Sequence, residues 1–187
     1  YLRDYPYYCW EQRLTKGVMA SHFTHLRDYL PPDLEWPEAA ALPAATLAQA
    51  ASFQAPSGGM AYYVPQDIYV SPYLSAYTAL AFAWLRDDGH EIPAAVETKL
   101  HAYLDAFLKR DVAPDFYSRG MASTVRAVAL AALAKSGKVT VADLERWSGK
   151  PVEVDAERRR LSLAAEHLLL RQGPASEDVT RQTLAIE

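Results

Sequence analysis

Cys9 and Gln12, three positions apart and set among Tyr5, Tyr7, Tyr8 and Trp10, are the residues of this chain whose types and spacing could do unusual chemistry. Cys9 is the only cysteine in 187 residues. Pro6 disfavours helix at Tyr5, and the pattern becomes helical from Trp10 onward, which places Cys9 at an N-cap and Gln12 at N3. That is the spacing of a capping box, with a thiol where Ser or Thr usually stands. The field of the helix end favours thiolate, and a thiolate there can attack the Gln12 side-chain carbonyl, expel ammonia and leave an internal thioester. Such a bond acylates incoming amines or hydroxyls, joining them to Gln12 and releasing the Cys9 thiol. Water destroys the same bond, so the surrounding aromatic rings read as a shield. The plainer alternative is a small buried Cys9 and an ordinary helical Gln12.

The elements that must position this pair are helical. Turn signals divide the chain into about eight helices, with no β-branched run of period two to build a sheet. The first runs from Trp10 to about Leu30, with Leu14, Val18, Phe23 and Leu26 as its core stripe and Pro31-Pro32 as its stop. A second is expected from Pro37 to about Gln54, bent at Pro43. Ala55 to Ser71 has no helical period, yet carries Gly58-Gly59 with Met60, Tyr62, Tyr63 and Tyr69. A segment so apolar is expected to fold over the open helix ends near Cys9 rather than lie in solvent. Ser71-Pro72 opens a third helix, apolar on most sides and ended by Gly89; Pro93 opens a fourth, through to Arg110. The fifth spans about Ser118 to Ser136 before Gly137. Thr140 with Asp143 opens a short sixth, Asp155 a seventh and Ser176 an eighth that continues to Glu187. Periodicity alone leaves a bundle, a solenoid of hairpins and a closed toroid equally open.

Composition narrows the function classes. The net charge of −4 offers no basic footprint for nucleic acid. No apolar run approaches the roughly 20 residues of a membrane-spanning helix. A single cysteine excludes an intrachain disulfide and a cysteine-based zinc cluster. His22 and His25 lie three apart on the first helix without an evident third ligand, so no metal and no cofactor is expected. The chain opens without Met and inside a motif, and the expectation is one domain, residues 1–187, of a much longer protein.

Pro6-Tyr7-Tyr8-Cys9-Trp10-Glu11-Gln12 resembles the P-Y-x-C-x-E-Q thioester motif of the alpha-2-macroglobulin and complement family, particularly its bacterial members. Ser57-Gly58-Gly59-Met60-Ala61-Tyr62-Tyr63, followed by Ser71-Pro72-Tyr73-Leu74-Ser75-Ala76-Tyr77, resembles the G-G-F and S-x-Y-L-T-A-Y pair that follows the thioester helix in that family. With the helix pattern, the similarity covers essentially the whole chain. It implies an all-α fold, an α/α toroid or part of one, built from consecutive antiparallel helical hairpins with the thioester at one end. About four hairpins fit here against about six in the family, so by the resemblance the pattern would continue beyond Glu187: either the sequence is truncated at its C-terminal end or part of the domain is absent, which leaves ring closure open. The small residues of the third and fifth helices suit the inner ring of such a toroid.

The function the resemblance implies is a broad-spectrum protease trap, an endopeptidase inhibitor rather than an enzyme. A protease cuts a bait region elsewhere in the long chain, and the exposed thioester couples to amines of the attacker. Cys9 supplies the thiol and Gln12 the acyl group, with Glu11 and Pro6-Tyr7 supporting the turn. Tyr8, Trp10, Met60, Tyr62 and Tyr63 are the candidate shield. Complement members that prefer hydroxyls carry a catalytic histidine at positions corresponding to about Asp111–Arg119; no histidine occurs there, which implies direct attack by amines. The resemblance further implies a periplasmic location, a lipidated tether outside this sequence, contact with the other domains of the same chain, and association with a periplasmic penicillin-binding protein. Two rivals stand beside it: a family scaffold without a functional thioester, acting in protein–protein interaction, and an α/α-toroid lyase or glycosidase using Tyr62, Tyr63, Asp67 and Tyr69 as a sugar platform. The rings near Cys9 make an incomplete shield, so an isolated domain is expected to present Cys9 and Gln12 as an ordinary thiol and amide, or a hydrolysed acid.

Overall fold

The computed structural model describes residues 8–110 and 112–140, with positions 142, 143, 146 and 163. The expected eighth helix lies outside the described residues, as do the expected seventh apart from Leu163, and Pro6 and Tyr7. Five α-helices are described: α1 Trp10–His25, α2 Leu42–Leu47, α3 Pro72–Asp87, α4 Ala94–Arg110 and α5 Arg119–Lys135. Short 3₁₀ turns fall at Arg27–Tyr29, Ala50–Phe53 and Asp67–Tyr69. Among the described residues there is no strand, only the isolated bridges Gln54 to Met60 and Ala61 to Val70. The fold is all-α.

Helix ends follow local chemistry. The Ser71 hydroxyl accepts the Leu74 N–H at 3.2 Å and the Ser118 hydroxyl the Met121 N–H at 3.1 Å, which fixes the starts of α3 and α5. Gly89 and Gly137, with φ of 88° and 67°, lie just beyond the ends of those two helices. Thr140 and Asp143 exchange side-chain bonds in both directions, the start expected for a sixth helix. The single long helix expected from Pro37 to Gln54 is instead a turn, the short α2 and a 3₁₀ turn. Pro43 sits in the first turn of α2 and has no N–H to offer a preceding carbonyl, so the helix begins at Leu42 rather than bending there. The last turns of α1 also differ from expectation: Leu26 is exposed, and Phe23 is half-buried against the edge of Trp36.

Cross-helix bonds give the directions of the helices. Thr15 meets Tyr77 near the starts of α1 and α3, and Ser21 meets Asp88 near their ends, so these two helices run parallel. The Tyr73 N–H reaches the Tyr117 hydroxyl before α5, while Lys135 pairs with Asp87 at the far end, so α5 is parallel to both. Arg86 on α3 pairs with Glu97 on α4 at 2.6 Å, so α4 returns antiparallel to α3. α3 packs against α1, α4 and α5, most extensively against α5. Alanines let these helices approach: Ala76, Ala79 and Ala81 on α3 and Ala127, Ala129, Ala131 and Ala132 on α5 are all in one core with Leu74, Phe82, Leu130 and Leu133. On α1, a Cβ at Gly17 would lie 2.8 Å from the Thr46 hydroxyl, so glycine is what lets α2 seat there.

The segment before α3 is held in the same way. Gly58 has φ of 92°, and a Cβ there would lie 2.4 Å from the Lys99 carbonyl oxygen of α4. Gly89 has a similar φ with open space around it. In urea unfolding, Gly89→Ala is expected to cost about 1 kcal/mol for the left-handed backbone alone. Gly58→Ala adds the backbone collision and is expected to exceed about 3 kcal/mol. Equal losses would contradict the close approach of this segment to α4.

Candidate functional site

Cys9 is extended, with φ of −67° and ψ of 162°, and its carbonyl accepts the Arg13 N–H at 3.0 Å to close the first turn of α1. Its own N–H donates to Gln12 Oε1 at 3.2 Å, so the Gln12 side chain folds back over the helix end onto Cys9. The Gln12 N–H faces the Cys9 side chain in the reciprocal half of the capping box. Sulfur is a weak acceptor, so the firm bond of the pair is the one from the Cys9 amide. Cys9 is buried and Gln12 half-buried. The sequence therefore brings a thiol and a primary amide together at the open, electropositive end of a helix.

Trp10 anchors this turn. Its N–H donates to the Tyr62 carbonyl at 2.9 Å, and its buried indole donates to the Thr78 hydroxyl at 2.8 Å while stacking on Phe53 at 5.3 Å. The segment that supplies Tyr62 is itself tied to α3. The Met60 N–H donates to the Ser75 hydroxyl at 2.8 Å, and the Ser71 N–H to the Met60 carbonyl at 3.0 Å. Arg13 adds a tie from the other side, donating to the Tyr8 carbonyl at 2.9 Å and to Gln49 Oε1 at 2.5 Å, with its guanidinium over the Tyr8 and Phe53 rings.

The aromatic residues near Cys9 divide by location. Trp10 and Met60 are fully buried and belong to the core, Tyr62 is half-buried, and Tyr8 and Tyr63 are each 65% exposed. Asp67 accepts the Ser57 N–H at 2.9 Å, which ties this carboxylate to its own loop.

One group escaped the reading of the sequence. Tyr73 and Tyr77, four apart on α3, run alongside Glu11 and Thr15, four apart on the parallel α1. The Tyr77 hydroxyl meets Thr15 Oγ1 at 2.8 Å and the two rings stack at 6.4 Å, a register that sets Tyr73 alongside Glu11. The matched i, i+4 spacings were the available signal, but only the parallel register of the helices makes them meet.

At the level of sequence, no protein-family model and no curated protein matches the chain. Solved structures do resemble its fold. The native conformation of E. coli alpha-2-macroglobulin superposes with a TM-score of 0.81 and 17% identity, over 99% of this chain and 12% of that one. Salmonella alpha-2-macroglobulin reacted with methylamine gives 0.77 and 18%, over 98% and 12%, and trypsin-activated E. coli alpha-2-macroglobulin 0.76 and 16%, over 97% and 13%. The chain has the fold of a segment of bacterial alpha-2-macroglobulin. It spans only a small part of those much longer chains.

Within this alpha-2-macroglobulin-like fold the remaining polar clusters lie at the other end of the helices. His22 and His25 gather at Asp88, with Nδ1 atoms 3.4 and 3.9 Å from Oδ2, and His25 Nδ1 also meets the Ser21 carbonyl at 3.0 Å. Among the described residues no group of His, Cys, Asp and Glu is arranged to hold a metal. A cleft of about 1000 Å³ lies between α3, α4 and the end of α5, lined by Arg86, Glu97, His101 and Lys135. Its acids and bases pair with neighbours, Arg86 with Glu97 and Lys135 with Asp87.

At the Cys9 end, burial holds phenol protons on. Tyr73 is pushed up to about 12 by burial, then by the Glu11 charge, and Tyr103 to about 12 by burial, then by Tyr117. Burial and Glu11 also raise Tyr62, and burial raises Tyr77 against the lowering bond from Thr15. A folded-state phenol that keeps its proton above the ordinary value of 10.0 stabilises the fold fully below that pH and loses the contribution as pH rises through its folded value. Ultraviolet titration is therefore expected to show phenolate forming in two groups, the later near pH 12, with stability falling between about pH 10 and 12. A single phenolate transition near 10 would contradict the packing of Tyr73 and Tyr103.

Proposed function

We propose that this chain is the thioester-containing domain of a bacterial alpha-2-macroglobulin-type protease trap. The observation that carries the reading is the seat of Cys9 and Gln12: a buried thiol at the N-cap of α1, with the amide folded back so that Oε1 meets the Cys9 N–H at 3.2 Å. The fold likeness to bacterial alpha-2-macroglobulins, including a trypsin-activated form and one reacted with methylamine, supports it. In forming the bond, the Cys9 thiol gives up its proton and attacks the Gln12 carbonyl carbon, the C–S bond forms, and the C–N bond breaks as the nitrogen takes up that proton and leaves as ammonia. In capture, an uncharged amine of the protease attacks the same carbon, an amide forms, the electron pair of the C–S bond returns to Cys9, and the proton lost by the amine nitrogen ends on the Cys9 sulfur.

Under this reading the chain is a non-catalytic inhibitor domain within a long multidomain protein. Its helical hairpins continue toward an α/α toroid. Exposed Tyr8, Tyr63, Ile68, Tyr69 and Phe116 lie in the segments leading into α1, α3 and α5, at the Cys9 end, and other domains of the same chain cover them until a bait is cut. Periplasmic location, a lipidated tether and association with a penicillin-binding protein belong to the same proposal. Acceptors are amines, because no histidine stands between positions 111 and 119 to relay a proton from a hydroxyl.

The test is covalent capture by the full-length protein. Incubated with trypsin, it is expected to yield a denaturant-resistant adduct that Cys9→Ala and Gln12→Ala both abolish, and to incorporate methylamine in preference to glycerol. An adduct that survives Cys9→Ala, or preferential glycerol labelling, contradicts the proposal.

A further inference from the structure

The peptide unit that joins Tyr8 to Cys9 is held at both of its polar ends by side chains of the turn that follows it. Its N–H donates to Gln12 Oε1 at 3.2 Å, and its carbonyl accepts the Arg13 Nε–H at 2.9 Å. Arg13 lies one residue beyond the P-Y-x-C-x-E-Q pattern, and its backbone N–H closes the first turn on the Cys9 carbonyl at 3.0 Å. The guanidinium is itself fixed. Nη1 donates to Gln49 Oε1 at 2.5 Å, and the planar group lies over the Tyr8 ring at 5.3 Å and the Phe53 ring at 5.9 Å. Phe53 stacks in turn on the buried Trp10, so the brace runs from the exposed Tyr8 to the core. Gln12 Oε1 is the oxygen that takes negative charge when a nucleophile adds to the Gln12 carbonyl carbon, and the donor already on it is the Cys9 N–H. A cation bonded to the carbonyl of the same peptide draws electron density from its nitrogen, which makes that N–H a stronger donor.

We infer that the Cys9 N–H is the oxyanion donor of the thioester, and that Arg13, through the Tyr8 carbonyl, is the positioning residue that orients and polarises it. This deepens the proposed thioester function and rests on it. As an uncharged amine adds, the new C–N bond forms and the π pair of the carbonyl moves onto Oε1, where the Cys9 N–H and the positive end of α1 meet it. When that pair returns, the C–S bond breaks with its electrons going to Cys9, and the proton lost by nitrogen ends on the sulfur. The bond to Oε1 strengthens as charge develops there, so it favours the transition state over the resting thioester. A brace that only held the Tyr8 ring as a shield would act on the rate in the opposite sense, because removing a shield opens the bond to attack.

The experiment measures methylamine incorporation and spontaneous hydrolysis on full-length protein whose thioester has been verified by mass. Arg13→Met keeps an apolar stem and removes the bond and the charge. It is expected to slow both reactions about tenfold, less than the roughly hundredfold or more that loss of a direct oxyanion donor costs. Arg13→Lys, which keeps the charge, is expected to recover part of that loss. The slowing is expected to persist in a Tyr8→Ala background, where the ring is gone and the backbone carbonyl remains. If Arg13→Met forms no thioester, Gln49→Leu, which frees the guanidinium at Nη1, carries the test with a smaller slowing of the same sign. Faster reaction, unchanged rates, no recovery by Arg13→Lys, or a slowing that vanishes once the Tyr8 ring is removed assigns Arg13 to the shield or to the fold alone. Any of these overturns the inference while leaving the thioester in place. A wild-type protein with no thioester sinks the functional reading itself, and this assignment with it.

Discussion

The structure depends on how the first turn of α1 is satisfied. A helix start exposes N–H groups that have no partner within the helix, and burying them unpaired costs more than a single side-chain contact returns. Here the Cys9 N–H is met by Gln12 Oε1 and the Trp10 N–H by the Tyr62 carbonyl. The first of these bonds comes from the motif itself, the second from a segment some fifty positions away in the chain. The seat of Cys9 therefore cannot form without the irregular segment before α3, and that segment cannot hold its path without α3.

α3 acts as the frame because it buries polar groups where they are needed. Ser75 and Thr78 are fully buried in an otherwise apolar helix. Each returns a bond to its own helix, Ser75 to the Ser71 carbonyl and Thr78 to the Leu74 carbonyl. Each also receives one from outside, Met60 N–H to Ser75 and the Trp10 indole to Thr78. The hydroxyls are thereby satisfied in both roles, which makes their burial tolerable and fixes the loop and α1 to one register. The parallel row of α1, α3 and α5 then aligns the starts of all three helices at one end, with Cys9, the tyrosines and the exposed aromatic rings together.

Much of this was legible in the sequence because helix ends are written locally. Ser71-Pro72, Ser118, Gly89 and Gly137 each mark a boundary through a short-range bond or a backbone angle, and the Cys9 to Gln12 spacing foretold a capping box that the structure contains. The interval from Pro37 to Gln54 reads as one helix in the sequence because alanine-rich composition favours helix without saying where Pro43 forces its start. The fates of the aromatic rings were not legible either. Trp10 and Tyr8 are two residues apart and look alike as shielding groups, yet one is in the core and the other largely exposed, since only the approach of Thr78 and Phe53 distinguishes them. The pairing of Thr15 with Tyr77 needed the parallel direction of two helices, a tertiary fact that no spacing within either helix contains.

A thiol and an amide held together at a helix end, in a fold shared with bacterial alpha-2-macroglobulins, make a chemical claim about one bond. Intact-protein mass spectrometry of the full-length protein measures that bond directly. The account predicts a mass lighter than the sequence by one ammonia, a gain of one methylamine on treatment, and appearance of the Cys9 thiol in the same step. A mass that matches the unmodified sequence, with Cys9 already reactive as a free thiol and no methylamine taken up, would contradict it.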